Sequence, residues 1–217
     1  MRYLSYDEKL AQCFSSVIMD TLDRMNCRVQ CMDPGIRPLI PSMRTWGEAV
    51  TARFGAVAQV LDRPFALEMQ VVDSLREGQV LVTQCETAEL SAAWGGLLTT
   101  AARSRRARGV VTDGGVRDYR EIVGLEFPTF CRGLTPYDSL GRMDMQEINT
   151  PIHCGGILTR PGDLVFADVD GTVVVPQELA DEAISKAWEK VRNEDKVRNA
   201  LRSGASVAAT FDKYRIL

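Results

Sequence analysis

Leu10, Phe14, Val17, Ile18, Leu22 and Met25 recur every three or four residues behind Ser5 and Glu8, which fit a capping box. The spacing predicts a first helix with one apolar face, packed on the body or on a partner subunit. Pro34, Pro38 and Pro41 then break the chain. Residues 48–54 read as a strand, 65–75 as a helix closed by the Glu77-Gly78 turn, and 80–83 as a short strand. A helix follows at 97–107, introduced by Gly95-Gly96. The apolar run 109–112 is a buried strand ending at Asp113. A short helix begins at 116–122, and 127–131 is another strand. This strand–helix–strand rhythm suits parallel pairing with helical cover. The last third differs: short strands at 151–156, 163–167 and 172–176 lie between Gly, Pro and Asp. Ala183, Ile184, Ala187, Trp188 and Val191 then mark the apolar stripe of a helix over 177–201, stopped at Gly204. The pattern predicts an α/β fold containing a mixed sheet.

Composition narrows the class. The chain has 217 residues, 45% hydrophobic and 25% charged, which describes a folded domain large enough to bury its own core. With 26 basic and 29 acidic residues the net charge is −3, so no broad nucleic-acid footprint is expected. No stretch is long and apolar enough to span a bilayer, and the charged N-terminus lacks a signal-peptide core. The six cysteines form no CxxC pair, which points to free thiols in a reducing, cytoplasmic setting. His153 is the only histidine, so one subunit cannot build a histidine-rich metal site.

Two segments carry candidate chemistry. Gly95-Gly96-Leu97-Leu98 places paired glycines before a helix, where backbone N–H groups can cradle a carboxylate or phosphate. A tight turn into a packed helix is the plainer reading. Thr112-Asp113-Gly114-Gly115-Val116-Arg117-Asp118 follows a buried strand, where α/β proteins place their sites. Arg117 can hold a carboxylate or neutralise an enolate, and Asp118 offers oxygen ligands to a hard divalent ion. A surface ion pair and a helix cap would use the same residues. The run Arg103, Arg105, Arg106 and Arg108 suits a solvated helix face or salt bridges between subunits. Asp163, Asp168 and Asp170 lack EF-hand spacing and read as turn carboxylates.

At these segments the chain resembles the RraA-like family, which includes class II 4-hydroxy-4-methyl-2-oxoglutarate/4-carboxy-4-hydroxy-2-oxoadipate aldolases. The likeness continues through Arg132-Gly133-Leu134-Thr135-Pro136, Cys154-Gly155-Gly156, Pro161-Gly162-Asp163 and Ala167-Asp168-Val169-Asp170-Gly171. It implies one RraA-like domain over residues 1–217, with an N-terminal helix and a C-terminal helical extension. It further implies an αββα sandwich in a ring-shaped homotrimer or homohexamer, with the site at the subunit interface. The implied activity is metal-dependent retro-aldol cleavage of a 4-hydroxy-2-oxo dicarboxylic acid to release pyruvate, with oxaloacetate decarboxylation as a related reaction. Gly95, Gly96, Leu97 and Leu98 match the loop that binds the pyruvate moiety, Arg117 the arginine that contacts it, and Asp118 the ligand of Mg2+ or Mn2+. Glu194 matches a second metal-approaching glutamate, supplied by the neighbouring subunit. One departure stands out: the aldolases commonly carry Gly-Asp-Leu-Leu where this chain has Gly95-Gly96-Leu97-Leu98. Asp113 is a candidate to compensate. The family also contains regulators of an RNA-processing enzyme, so a regulatory protein partner is the alternative to a small 2-oxo acid substrate.

Overall fold

The computed structural model describes residues 2–86 and 91–216. Its organising element is the 12-residue strand Thr45–Ala56, which pairs with three neighbours. On one side residues 48–54 run parallel to Gln79–Cys85. On the other, its first residues pair antiparallel with Leu164–Ala167, and its last with Met143–Ile148. A register shift between Arg53 and Phe54 bends the strand as it changes partners. Parallel pairing continues outward through Gly109–Thr112 to Thr129–Cys131. Arg37–Pro38 and Thr172–Val175 lie antiparallel at the two edges. Pro38 has no N–H to give a ladder, which suits an edge position. The sheet is therefore mixed, as the α/β pattern implied.

The three outer parallel strands are each followed in sequence by a second, shorter strand. Ala92–Trp94, Gly115–Val116 and Gly133–Leu134 form an all-parallel three-stranded sheet in the same left-to-right order. The chain segments leaving this small sheet are Gly95-Gly96, Arg117-Asp118 and Thr135-Pro136.

Most of the main sheet is buried on both faces, so Gly109–Thr112 and Leu164–Ala167 are near-continuous apolar runs rather than alternating ones. Leu81 and Val110 face one core, shared with Val71, Val72, Ala102 and Ile122 of the helices Ala66–Ser74, Gly96–Ser104 and Tyr119–Gly124. Leu164 and Phe166 face another, shared with Ile18, Leu22, Ala183 and Ile184 of the helices Ser15–Arg24 and Ala180–Arg202. Lys190, 8% exposed, ties those two helices by pairing with Asp20.

The expected first helix is broken. A 3-10 turn at Leu4–Tyr6 and one helical turn at Asp7–Leu10 precede the separate helix Ser15–Arg24, and Ser5 makes no capping bond. The cap of the second helix comes from far away. Asp168 Oδ2 accepts from the Ser15 amide at 2.8 Å and its Oδ1 from the Ser15 hydroxyl at 2.6 Å. Val116 is the end of a strand, not the start of a helix, which begins at Tyr119.

Gly47 shows how closely the centre is packed. A Cβ there would lie 2.3 Å from the carbonyl oxygen of Gly78, a backbone atom that cannot swing aside. Gly47→Val should therefore destabilise the fold by roughly 3–5 kcal/mol, read as a lowered urea midpoint. A midpoint within about 0.5 kcal/mol of the parent would refute this packing argument.

Candidate active site

Ala92–Trp94 leaves the small sheet at Gly95 and turns directly into the helix Gly96–Ser104. The first amides of an α-helix have no acceptor within it, so those of Gly96, Leu97 and Leu98 are available. The Gly96 N–H donates to Asp118 Oδ2 at 3.0 Å. That contact depends on the backbone of Asp118, which sits in the left-handed region at φ 61° at the start of the helix Tyr119–Gly124. Aspartate tolerates this conformation better than most side chains. The turn aims the carboxylate back at the neighbouring helix start.

Arg117 lies between two acids. Its Nη1 is 3.3 Å from Asp138 Oδ2 and its Nε 3.8 Å from Asp118 Oδ2. The pair leaves the guanidinium oriented but half-exposed, with donors to spare for an incoming carboxylate. Gly95, Leu97, Leu98, Arg117 and Asp118 line one cavity of about 260 Å³, whose other walls include Trp94, Glu68 and Asp138. Gly96 joins through its amide. The structure thus gathers the expected glycine cradle, Arg117 and Asp118 in one place.

Glu194 lies elsewhere in the chain. It pairs with Lys190 at 3.7 Å and Arg198 at 3.6 Å, beside Val197 and Leu201 in a separate cavity. Within this chain it does not join the cavity that holds Arg117 and Asp118.

Asp113 is not open to the cavity. It is buried, and its two oxygens accept from the Cys85 amide at 2.6 Å and the Gly155 amide at 3.0 Å. Burial raises its pKa even though both amides pull it down. It holds two loops together and does not stand in for a carboxylate at residue 96. Glu121 is better placed. A Cβ on Gly96 would lie 2.1 Å from Glu121 Oε2, so the Glu121 carboxylate fills the space a side chain there would use.

A divalent cation fits Asp118 only in an open manner. No three His, Cys, Asp or Glu side chains cluster as ligands among the described residues. Asp118 would supply one carboxylate, leaving the remaining positions to water and to substrate oxygens. That donor set suits a hard ion such as Mg2+, which keeps several waters.

Glu68, Asp138 and Glu121 are site residues that sequence reasoning missed. Glu121 lies three residues beyond Asp118, in the helix that Asp118 introduces, and that nearness could have found it. Elsewhere, the basic run is absorbed by pairs within the chain: Arg105 with Asp73, Arg106 with Glu77 and Arg108 with Asp7. His153 is exposed, and all six cysteines are free. No helix among the described residues is long and apolar enough to cross a membrane.

A family model described as RraA-like, Aldolase/RraA, matches residues 15–174. Protein DlpA of Legionella pneumophila is 27% identical over 95% of this chain, which spans only 33% of that protein's length. A protein of Halalkalibacterium halodurans named "Putative 4-hydroxy-4-methyl-2-oxoglutarate aldolase" is 35% identical over 57% of this chain and 59% of its own. Among solved structures, Streptomyces coelicolor RraAS2, described as an unusual member of the RNase ES inhibitor RraA protein family, superposes with a TM-score of 0.80. It is 30% identical and matches 88% of this chain and 95% of its own.

Proposed function

The chain belongs to the RraA-like family, and from that premise we propose that it is a divalent-metal-dependent lyase. Its substrate would be a 4-hydroxy-2-oxo dicarboxylic acid, cleaved between C3 and C4 to release pyruvate, with oxaloacetate decarboxylation as a second reaction. One observation carries this reading: Arg117 and Asp118 meet the start of the Gly96 helix at a single cavity, with Asp118 on the Gly96 amide and the Leu97 and Leu98 amides left open. Several relatives named as aldolases support the lyase class.

The chain's own residues divide the work. The Leu97 and Leu98 amides, at the positive end of a helix, receive the substrate's 1-carboxylate. Arg117, steadied by Asp138, faces the 2-oxo oxygen, where negative charge develops as the C3–C4 bond breaks. Asp118 would hold the cation, Mg2+ or Mn2+, which when bound would supply Lewis-acid polarisation of that oxygen. Trp94 and Leu98 give the cavity an apolar wall beside that oxygen. Pyruvate release, measured by a coupled assay with Mg2+, Mn2+ or excess chelator, tests the proposal. Cation-dependent release from 4-hydroxy-4-methyl-2-oxoglutarate is the expected result. A folded oligomer that releases none from this acid or from oxaloacetate would overturn it.

A second reading, a regulator that docks on an RNA-processing enzyme, draws on Gly96 and on the likeness to RraAS2. It predicts saturable protein binding and no turnover. Gly96 can be tested directly. Because Glu121 occupies the adjoining space, Gly96→Asp alone should crowd two carboxylates and gain nothing. Combined with Glu121→Ala, it should raise turnover about tenfold over Glu121→Ala alone, a smaller gain than the roughly 10²–10⁴-fold of an optimally positioned acid or base. Equal rates for the two variants would show that a carboxylate at residue 96 is irrelevant here.

A further inference from the structure

Glu68 is an acid of the same cavity with no part in the division of work above. It lies in the first turn of the helix Ala66–Ser74, 7% exposed, and lines the same cavity as Arg117 and Asp118. Its helix start is held by Asp144, whose Oδ2 accepts from the amide of Phe65 at 3.0 Å. Phe65 itself is in the left-handed region at φ 63°, a strained position for an aromatic residue. The Asp144 bond anchors the first turn, and Glu68 on that turn lines the cavity. Asp144 and Asp138 crowd Glu68 with negative charge, and Arg117 alone opposes them. Among the described residues nothing donates a hydrogen bond to its carboxylate. Its oxygens are not among the fully buried side-chain atoms left without a partner, so the carboxylate opens onto the cavity.

Resting on the lyase reading above, we propose that Glu68 is a catalytic residue that carries one proton from the substrate's C4 hydroxyl to C3 of the product enolate. As a carboxylate, Glu68 takes the hydroxyl proton. The O4 lone pair forms the new C4 carbonyl, the C3–C4 bond breaks, and its electron pair passes into the pyruvate enolate. As a carboxylic acid, Glu68 then returns that proton to C3. The enolate becomes the ketone, and Glu68 is again a carboxylate. No outside acid, base or oxidant is consumed.

Burial first, and the charges of Asp144 and Asp138 next, raise the pKa of Glu68 to about 7. A group poised there exchanges protons readily near neutral pH. Because the carboxylate must be present to accept the first proton, kcat/KM should rise with pH and level off above about 7. The reverse sign would apply to a group that acts first as an acid.

The test compares the wild-type protein with Glu68→Gln and Glu68→Asp in two assays with Mg2+. One is pyruvate release across pH 5–9; the other is exchange of pyruvate methyl protons with deuterated water, followed by NMR. Glu68→Gln should lower kcat about 10²–10⁴-fold in both, remove the rising limb and leave KM within a few-fold. Glu68→Asp should restore part of the rate and the limb. Wild-type rates and an unchanged limb in Glu68→Gln would overturn the role of Glu68 while leaving the lyase reading intact. A wild-type protein that exchanges methyl protons but cleaves nothing would overturn the cleavage step, with Glu68 still judged by exchange. Absence of both reactions in the wild-type protein would overturn both.

Discussion

Asp118→Asn is expected to abolish turnover, by about 10³-fold or more, while the protein keeps its fold. The magnitude follows from the several kcal/mol that Lewis-acid polarisation contributes, at about 1.4 kcal/mol per tenfold in rate. Asparagine is the informative substitution. It tolerates the left-handed backbone at φ 61°, and its side-chain oxygen can still accept from the Gly96 amide. It lacks the charge that would hold a cation. Asp118→Ala would add backbone strain of about 1–2 kcal/mol and blur the comparison. Mn2+ binding, followed by electron paramagnetic resonance, gives a readout that does not depend on catalysis. Retained Mn2+ affinity and retained turnover in Asp118→Asn would remove Asp118 from the site.

Arg117→Ala is the second large effect, a fall in kcat of about 10²–10³-fold. The guanidinium is held by Asp138 at 3.3 Å, so its donors are already oriented when charge develops. Lysine cannot reproduce the planar fork, and Arg117→Lys should recover little. The same variant should shift the pH profile. Arg117 is the one cation that lowers the pKa of Glu68, so its removal favours the neutral acid and moves the rising limb to higher pH. A profile that stays in place would show that Arg117 and Glu68 do not sense each other. A kcat unchanged in Arg117→Ala would place the charge stabilisation elsewhere.

The parts of the site that were legible in the sequence share one property: their chemistry is set by neighbours in the chain. Paired glycines at a strand end and an Arg-Asp step after a buried strand read as site features because the fold class places sites there. Glu68 escaped because residues 65–75 read only as a helix closed by the Glu77-Gly78 turn, with no motif to single out the acid. An acid on an apolar face is a signal, but its meaning depends on Asp144, Asp138 and Arg117, which come from distant parts of the chain. Asp113 went the other way: it sits in the motif, yet folding commits it to two backbone amides. The fold shows the same division. The strand Gly109–Thr112 was readable residue by residue from its apolar run. The helix break before Ser15 was not, since its cap, Asp168, lies 153 positions away. The strand Met143–Ile148 was also missed, because only its first three residues are buried.

The short parallel sheet that carries Gly95, Arg117 and Thr135 at its exits is held by backbone hydrogen bonds and apolar side chains. None of those bonds depends on which side chains occupy residues 96, 117 and 118. Selection can therefore rewrite the chemistry at the rim while inheritance preserves the chassis beneath it. Such a lineage would be expected to hold both working catalysts and descendants that kept the shape after losing the reaction, distinguishable by a few rim positions rather than by overall likeness.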